Sequence, residues 1–438
     1  MSTESLDRRN RHAYVWNERL DPARYVRATY YLETAVDPEL AAIGLAKEQS
    51  ATTLEVPGID CGYDLLRGTA RVTSIETIGK TYDTMLPSYW LNTPAYELGH
   101  AQEDGYWRVI AVISYPISNF GYSLTNLWNA IGGEAHRLGF FNALKLLDID
   151  FPESFLEHFP GPTHGSAGIK AKLHIENRPL LCRSTRPAVG LTTEIMLQIN
   201  EQVLRGGFDA VKDDELTCDT SYSPFKERVV MMVELLRRIE DETGEKKYYV
   251  ANVIDDSAKT FDFIDCAEKA GVDAVLVAPA IQGFEIAREI SRRTDLAILC
   301  HNSWYDAVTR HPRFGVSDIL SIKMQRMCGA DMVLMPGHFA TDSMEALEEQ
   351  RLIDACQGPL GRIKPSLPII AGGKTPQGLV DYAASIGSTD FMIIAATAVD
   401  THPDGLKAGA RAFREAWEKL EENQENLKQL HRKFHPRA

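Results

Sequence analysis

The chain has 438 residues and a formal net charge of −14, from 61 acidic and 47 basic side chains. Its 44% hydrophobic and 25% charged residues are typical of a folded globular protein and exclude a largely disordered chain. The negative charge argues against nucleic acid or an anionic membrane as the main partner, since both need a cationic face. It leaves room for a local basic pocket that binds a small phosphorylated metabolite.

The cysteines and the N-terminus indicate where the protein works. Seven cysteines are spread along the chain without CxxC or CxH spacing, so neither a zinc finger nor a disulfide framework is expected. Residues 1–11 are polar and charged, with no apolar signal segment. The longest uncharged run, 109–133, is too polar to span a bilayer. We expect a soluble cytoplasmic protein.

The first part of the chain mixes strand and helix patterns. After an N-terminal extension at 1–22, residues 23–150 predict four strands and two helices: strands at 25–33, 68–76, 106–116 and 143–150, and helices near 37–50 and 122–138. Helices interleaved with strands in this way are typical of a small α+β domain of ferredoxin-like type.

A segment rich in Pro and Gly, 159–166 (FPGPTHGS), predicts a domain boundary, so we place a linker at 151–166 and a second domain at 167–438. In that domain short apolar strands alternate with stretches of helical period. The predicted strands lie at 178–186, 208–215, 247–253, 274–279, 296–302, 332–337, 367–373 and 391–399. Eight such units predict a closed (β/α)8 TIM barrel rather than an open doubly wound sheet. Residues 410–433 predict a charged, solvent-facing C-terminal helix.

The second predicted barrel strand ends in the acidic sequence Lys212-Asp213-Asp214-Glu215. Side chains alternate across a strand, so Lys212 and Asp214 share a face and Glu215 lies just beyond it. Active sites of such barrels lie where the strands end, and two carboxylates there are suitable hard ligands for Mg²⁺. The pattern therefore predicts a magnesium site, with a solvated charge run as the alternative.

Other strand ends supply further candidates. Ser184 and Arg186 follow the first strand, and Arg186 is a permanent cation that can hold an anion. His301 ends the fifth strand, where it is either functional or structural. Gly372-Gly373 ends the seventh, where bare backbone N–H groups can approach a phosphate. His338 and Lys374 are two further candidates for a catalytic role, and both are expected at the protein surface.

Together these motifs resemble the RuBisCO large-subunit superfamily. The segment 205–215 (RGGFDAVKDDE) resembles the signature of that superfamily, and further matching motifs follow its order at 48–53 (EQSATT), 125–127 (TNL), 159–165 (FPGPTHG), 178–191 (RPLLCRSTRPAVGL), 372–373 (GG) and 402–405 (HPDG). The resemblance implies that Lys212 is carbamylated by CO₂ and binds Mg²⁺ together with Asp214 and Glu215.

The same resemblance implies an assembly and a substrate site. Glu48, Thr53 and Asn126 would come from the N-terminal domain of a neighbouring subunit, which implies a homodimer or an assembly of dimers. Ser184 and the Gly372-Gly373 pair would bind the substrate and its phosphate. Thr397 would do so from the eighth strand, where Ala395-Ala396-Thr397-Ala398 replaces a glycine run of the superfamily.

Departures from the superfamily pattern concern catalysis. Arg186 stands where a carboxylating enzyme has the lysine that takes the substrate proton, and Ala188 replaces a second lysine. Asn302 replaces an arginine and Leu334 a phosphate-binding histidine. The segment 338–345 (HFATDSME) has no lysine to hold a nascent carboxylate. CO₂ fixation on ribulose bisphosphate is therefore not expected, and the chain resembles the form IV branch, the RuBisCO-like proteins.

The resemblance leaves three functions open. The departures favour Mg²⁺-assisted decarboxylation or C–C cleavage of a β-keto acid such as 3-oxo-isoapionate 4-phosphate, since neither reaction needs proton abstraction. Arg186 would then orient the substrate, and His301 would protonate the enolate or carry protons between oxygens. The alternative is a methionine-salvage enolase or isomerase acting on a methylthio-sugar phosphate, with His301, His338 or Lys374 as base. The third is a non-catalytic binding protein on the same scaffold.

Overall fold

The structure, a computed structural model, describes residues 11–51, 58–59, 63–85, 105–217, 219–337, 339–340 and 344–422. It divides into two compact units, the first comprising Met1–His158 with Tyr305–Ser321 and the second Phe159–Trp304 with Ile322–Ala438. The division falls inside the predicted linker. The segment 305–321, which the sequence pattern places inside the barrel domain, groups with the first unit.

The described residues form strands and α-helices in the alternation that the sequence predicts. The strands are β1 (Tyr25–Thr34), β2 (Arg71–Thr81), β3 (Tyr106–Pro116), β4 (Phe141–Asp150), β5 (Leu180–Ser184), β6 (Ala210–Lys212), β7 (Tyr248–Asn252), β8 (Ala274–Val277), β9 (Ala297–Cys300), β10 (Gly315–Val316), β11 (Met332–Leu334), β12 (Leu367–Ile370) and β13 (Met392–Ile394). The helices are α1 (Pro38–Glu48), α2 (Leu124–Gly132), α3 (Glu153–Leu156), α4 (Gly165–Lys172), α5 (Thr193–Arg205), α6 (Phe225–Thr243), α7 (Ser257–Ala270), α8 (Pro279–Gln282), α9 (Glu285–Arg293), α10 (Tyr305–Thr309), α11 (Asp318–Met327), α12 (Ala346–Gln357), α13 (Leu379–Ile386), α14 (Thr397–Asp400) and α15 (Leu406–Glu422). Within the described ranges, no helix is long and apolar enough to cross a membrane.

The first unit is an α+β sheet domain, as predicted. Its five-stranded sheet has the order β10-β4-β1-β3-β2, and β1 pairs antiparallel with both β3 and β4. The order of β1 to β4, with α1 and α2 between them, is ferredoxin-like. The distant strand β10 joins parallel to β4, and Lys145 of β4 donates from Nζ to the carbonyl oxygens of Thr309 and His311 at 2.8 and 2.7 Å.

The second unit contains a closed barrel of β5, β6, β7, β8, β9, β11, β12 and β13, so the predicted TIM barrel is confirmed. Its interior is filled by alternate apolar residues of these strands, including Cys182, Ala210 and Val250. Several strands end earlier than predicted, because the chain leaves the ladder where polar side chains begin. Thr397 accordingly lies in helix α14 and not in a strand.

The C-terminal helix is predicted over 410–433 as a charged, solvent-facing element, and for the described part, which ends at Glu422, this is wrong on one side. Helix α15 buries Ala410, Phe413 and Trp417 on one side. The ring of Phe413 meets that of Phe208 edge to face, with centroids 5.6 Å apart. The charged residues of the helix therefore occupy only its outer face, and the apolar stripe attaches it to the barrel.

At the amino ends of the barrel strands, aspartates connect neighbouring strands. Three aspartates directly precede β6, β8 and β11, each within a Gly-x-Asp sequence. Each accepts a hydrogen bond from the second backbone N–H of the preceding barrel strand: Asp209 from Leu181 at 2.8 Å, Asp273 from Tyr249 at 3.2 Å and Asp331 from Ile298 at 3.0 Å.

The fourth strand pair lacks this bond for a chemical reason. The second residue of β12 is Pro368, which has no N–H to donate, and the residue before β13 is Phe391 rather than an aspartate. An aspartate thus precedes the strand where the neighbouring strand has a backbone N–H to donate. A different residue stands there where the neighbouring strand has a proline.

Candidate active site

The opposite edge of the barrel carries the polar residues that the sequence singles out. Ser184 and Lys212 are register partners at the ends of β5 and β6. Two residues earlier on each strand, Cys182 and Ala210 belong to the barrel core. Because side chains alternate along a strand, Ser184 and Lys212 also face the barrel axis.

Lys212 and Glu215 form one half of the site. Lys212 is 2% exposed, and its Nζ lies 3.3 Å from Oε2 of Glu215 and donates to the carbonyl oxygen of Asp213 at 2.9 Å. The same Oε2 lies 3.3 Å from Nε2 of His301, which directly follows β9. The structure therefore brings Lys212, Glu215 and His301 together.

Asp214 and Arg186 form the other half. Asp214 is completely buried, and its Oδ2 accepts from Oγ of Ser184 at 3.2 Å and lies 3.1 Å from Nη2 of Arg186. The Arg186 side chain is 47% exposed, so one end of the guanidinium contacts the acid while the rest meets solvent. All six polar side chains predicted at the ends of β5 and β6 and after Cys300 thus lie in two adjoining clusters.

The charges of this site shift two pKa values. Burial raises the pKa of Glu215, but attraction to Lys212 and His301 outweighs it and brings the value down to about 2. Burial lowers the pKa of His301, and Lys212 and Arg186 add to this against the opposing attraction of Glu215, giving about 4. At neutral pH Glu215 is therefore ionised and His301 is neutral.

Hydrogen bonds fix the tautomer of that neutral imidazole. The backbone N–H of Ser303 donates to Nδ1 of His301 at 3.1 Å, so Nδ1 is an acceptor. The proton of the neutral ring is then on Nε2, the nitrogen that faces Glu215.

The remaining acid of the motif, Asp213, faces away from this site. It is completely buried, and its Oδ2 accepts from Nε of Arg228 at 3.2 Å, from the hydroxyl of Tyr249 at 2.9 Å and from the backbone N–H of Asn252 at 3.2 Å. A carboxylate with three such donors is a structural anchor for the end of β6. Strand alternation places Asp213 on the outer face, and the sequence motif alone predicts no role for it.

Asn252 was missed altogether. From the end of β7, its Nδ2 lies 3.0 to 3.2 Å from the carbonyl oxygens of Asp214, Glu215 and Thr217, and its Oδ1 accepts from the N–H of Ile254 at 2.9 Å. It therefore holds the backbone that carries both candidate metal ligands. The available signal was its place at the end of a barrel strand beside β6.

The predicted phosphate-binding residues lie after β12 and β13. Gly372 and Gly373 follow β12 with φ of 76° and 61°, in the left-handed region that favours glycine, and both are exposed. Thr397 is exposed at the first position of α14. Lys374 was expected at the surface, and this is wrong: it is buried, because its Nζ donates to the carbonyl oxygen of Phe339 at 2.9 Å.

The residues expected from a neighbouring subunit belong to the first unit. Glu48 ends α1 and is partly buried, whereas Asn126 is exposed in the first turn of α2. Thr53 and His338 lie outside the described residues, so their placement stays a prediction.

The side chains at the end of β6 fit Mg²⁺ on one chemical condition. In the described ranges, no group of three or more His, Cys, Asp and Glu side chains is arranged to hold a metal ion. Asp214 and Glu215 therefore need a further ligand, and a carbamate on Lys212 supplies an oxygen where an ammonium cannot. A carbamate plus Mg²⁺ also carries the same net charge as the ammonium it replaces, so the balance with both carboxylates is kept. The donor set fits the ion.

Comparison with known proteins gives one family throughout. The chain matches the model of the ribulose bisphosphate carboxylase large chain, catalytic domain, over residues 166–437. It is 34% identical to a ribulose bisphosphate carboxylase-like protein of Allochromatium vinosum over 406 residues, which cover 92% of this chain and 86% of that protein. A 3-oxo-isoapionate-4-phosphate transcarboxylase/hydrolase of Xanthobacter autotrophicus is 29% identical over 397 residues, 90% of this chain and 92% of the relative.

Solved structures agree with the sequence relatives. This chain is similar in structure to the octameric ribulose-1,5-bisphosphate carboxylase/oxygenase of Pyrococcus horikoshii, with a TM-score of 0.82 and 28% identity. The match covers 98% of this chain and 97% of the Pyrococcus chain. Both the barrel and the N-terminal domain are thus shared with that protein.

Proposed function

This chain belongs to the RuBisCO large-chain family, among the RuBisCO-like proteins that do not fix CO₂, and we propose that it is a Mg²⁺-assisted lyase for a phosphorylated β-keto acid. The most favoured substrate is 3-oxo-isoapionate 4-phosphate, undergoing decarboxylation or C–C cleavage. The observation that carries the proposal is the pairing of Arg186 with Asp214 beside Lys212, Glu215 and His301. An arginine at this place cannot act as a base but can hold an acid group of the substrate.

Lys212, Asp214 and Glu215 are the residues that would hold the ion, with Lys212 as its carbamate. Mg²⁺ bound there supplies electrostatic stabilisation of the negative charge that develops on an enolate oxygen. Carbamylation requires the neutral form of the Lys212 amine as the nucleophile toward CO₂, and the product would be an anionic oxygen ligand.

In this reaction the bond between the carboxyl carbon and the α-carbon breaks. Its electron pair passes to the α-carbon and the ketone oxygen as an enolate, CO₂ leaves, and a proton from water adds to the α-carbon, the hydroxide combining with CO₂ as bicarbonate. Proton abstraction is not needed to start the sequence. Positions 186 and 188 carry Arg186 and Ala188 instead of lysines, and decarboxylation can proceed without those lysines. Enolisation, in contrast, would require a base from elsewhere in the site.

Arg186 and His301 have distinct tasks. The exposed part of the Arg186 guanidinium orients a carboxylate or phosphate of the substrate. His301 is neutral, with its proton on Nε2, which suits a hydrogen-bond donor that carries a proton between substrate oxygens better than a cationic acid. Ser184, Gly372, Gly373 and Thr397 would complete the contacts to the substrate and its phosphate.

We further propose that a second copy of the chain contributes Glu48, Thr53 and Asn126 to the site, in a homodimer or an assembly of dimers. The octameric relative supports assembly as a property of this fold. Mass photometry of the purified protein tests this part, and a monomer at working concentration would contradict it.

The test of the reaction is direct. The purified protein with Mg²⁺ and bicarbonate is mixed with 3-oxo-isoapionate 4-phosphate, and CO₂ release and the carbon products are followed by mass spectrometry. We expect CO₂ or a cleaved carbon chain, lost on chelation of Mg²⁺. Absence of both with an active metal-loaded protein would contradict the assignment.

Exposed apolar side chains favour a second candidate, a methylthio-sugar phosphate enolase or isomerase. Val189, Leu216 and Trp304 follow β5, β6 and β9, and all three are exposed, with Trp304 at 71%. Apolar groups on these loops suit a methylthio substituent better than a hydroxylated chain. Solvent deuterium incorporation into a methylthio-sugar phosphate, without CO₂ release, would favour this candidate. Failure with both substrate classes and no response to Mg²⁺ would favour a binding protein.

A further inference from the structure

One peptide unit after β11 is held at both ends by buried charged side chains. The carbonyl oxygen of Phe339 accepts from Nζ of Lys374 at 2.9 Å. The N–H of Ala340, in the same peptide unit, donates to Oε1 of Glu349 at 2.7 Å. Lys374 is 3% exposed and Glu349 6%. We call Lys374, Glu349 and the Phe339–Ala340 peptide the clamp.

Helix α13 supports both charges of the clamp. Nζ of Lys374 lies 4.5 Å from the ring centroid of Tyr382, and Oε2 of Glu349 accepts a hydrogen bond from the hydroxyl of Ser385. Burying charges is costly, and an apolar pair of similar volume often stabilises a fold equally well. A buried lysine and glutamate directed at the two ends of one peptide therefore fix its orientation at a cost in desolvation.

The backbone at this point is itself unusual. Ala340 has a φ of 56°, in the left-handed region that residues with a Cβ disfavour. Such conformations persist where surrounding contacts over-determine them, and they are concentrated at ligand-binding and active sites. The two hydrogen bonds of the clamp are contacts of this kind.

The clamp joins two connections at the edge of the barrel that carries the candidate site. Phe339 and Ala340 follow β11, Lys374 directly follows Gly372-Gly373 after β12, and β11 and β12 are paired neighbours. Resting on the function proposed above, we propose that Lys374 and Glu349 are positioning residues that orient the Gly372-Gly373 turn for binding the substrate phosphate. They act through the backbone and do not touch the reacting atoms.

The first measurement addresses the clamp itself, by hydrogen–deuterium exchange of the Ala340 amide. In Lys374→Met, which keeps an apolar stem of similar volume, and in Glu349→Leu, we expect exchange at least tenfold faster than in the wild type. Glu349→Gln keeps an oxygen that accepts from Ala340, so its rate should stay within threefold. Wild-type rates in both Lys374→Met and Glu349→Leu would overturn the clamp.

The second measurement addresses its function, with inorganic phosphate as the probe. Lys374→Met should weaken phosphate binding at least fivefold by calorimetry and raise the KM for a phosphorylated substrate by a similar factor, with kcat within twofold. A matched control is Lys170→Met, since Lys170 is also buried but donates to the carbonyl oxygens of Glu176 and Thr389 and to the carboxylate of Asp390 at the other end of the barrel. That control should change neither quantity.

The outcomes separate this proposal from the proposed reaction. If no substrate is turned over, the proposed reaction is wrong, and phosphate affinity still decides on the positioning role of Lys374. Faster Ala340 exchange with unchanged phosphate affinity and KM would show a purely structural role and overturn the positioning proposal. No phosphate binding by the wild type would overturn it as well.

Discussion

The two edges of the barrel both carry buried carboxylates, and Asp331 at the amino edge has partners of a different kind from those of Asp214 and Glu215 at the carboxyl edge. At the amino edge, Asp331 accepts three backbone N–H bonds, from His164 and Gly165 at 2.6 and 2.7 Å and from Ile298 at 3.0 Å. At the carboxyl edge, Asp214 and Glu215 face the side chains of Arg186 and Lys212. Backbone donors are fixed by the fold, whereas cationic side chains can be modified, displaced or turned toward a ligand.

This difference also appears in the protonation of the acids. Burial raises the pKa of Asp331, and the backbone donors bring it down only in part. At Glu215 the attraction of Lys212 and His301 exceeds the effect of burial, and the pKa falls to about 2. The pKa of Asp331 is thus raised by burial, while Glu215 is held ionised, which is the form that binds a divalent cation.

The largest expected effect is at the carboxyl edge. Lys212→Met removes the amine that becomes the carbamate, so the ion loses a ligand and turnover should fall by about 10³-fold or more, equal to ~4 kcal/mol of transition-state stabilisation. The fold should persist, because the methionine stem fills the same space. Steady-state assay with circular dichroism checks both parts.

A suitable control for Lys212→Met is Lys246→Met, which changes an exposed lysine paired with Glu240 on the barrel surface. It should leave activity within twofold. Mg²⁺-dependent turnover retained in Lys212→Met would contradict the metal assignment.

At the amino edge the loss should appear in stability instead. Asp331→Ala leaves three buried backbone donors without their acceptor, and we expect about 3 kcal/mol lower free energy of unfolding, measured in urea. Asp331→Asn keeps one acceptor oxygen and should lose less. Activity of the folded fraction should be unchanged for both, and a loss of turnover without a loss of stability would remove the contrast between the edges.

The barrel and the carboxyl-edge half of this contrast could be predicted from sequence, whereas the amino-edge half could not. Strand alternation correctly placed Lys212 and Asp214 on the inner face, and the βα count predicted the barrel. The Gly-x-Asp acids were not recognised, because the strand N–H groups that they accept from lie about 25 residues or more away and no side-chain pattern marks them. Lys374 was misplaced for a related reason: a lysine after two glycines reads as exposed, and its carbonyl partner lies on another connection.

Asn252 tests whether the carboxyl edge needs its own fixed support. Its amide is the donor to three carbonyl oxygens of the ligand-bearing loop, so Asn252→Asp, which keeps Oδ1 but loses the donor, should weaken Mg²⁺ binding about 10-fold, or ~1.4 kcal/mol. Isothermal calorimetry with Mg²⁺ and bicarbonate measures this. Unchanged affinity in a folded Asn252→Asp protein would show that the loop holds its geometry unaided.

The smallest effect distinguishes the edges by pH in metal-free protein. Since the pKa of Glu215 lies below its unfolded value of about 4.3, its contribution to stability is present above that pH and is lost as the pH falls toward 2. Discounted for partial exposure, this amounts to about 0.5 kcal/mol between pH 5 and 3.5, which Glu215→Gln should remove. Asp331 has the opposite sign, because its raised pKa favours folding when it is protonated, and this contribution is lost as the pH rises through that pKa. Urea unfolding is measured across this pH range with chelator present. The free energy of unfolding should fall less steeply with decreasing pH in Glu215→Gln than in the wild type, and more steeply in Asp331→Asn. The same slope in both variants would contradict the assigned difference between the two edges.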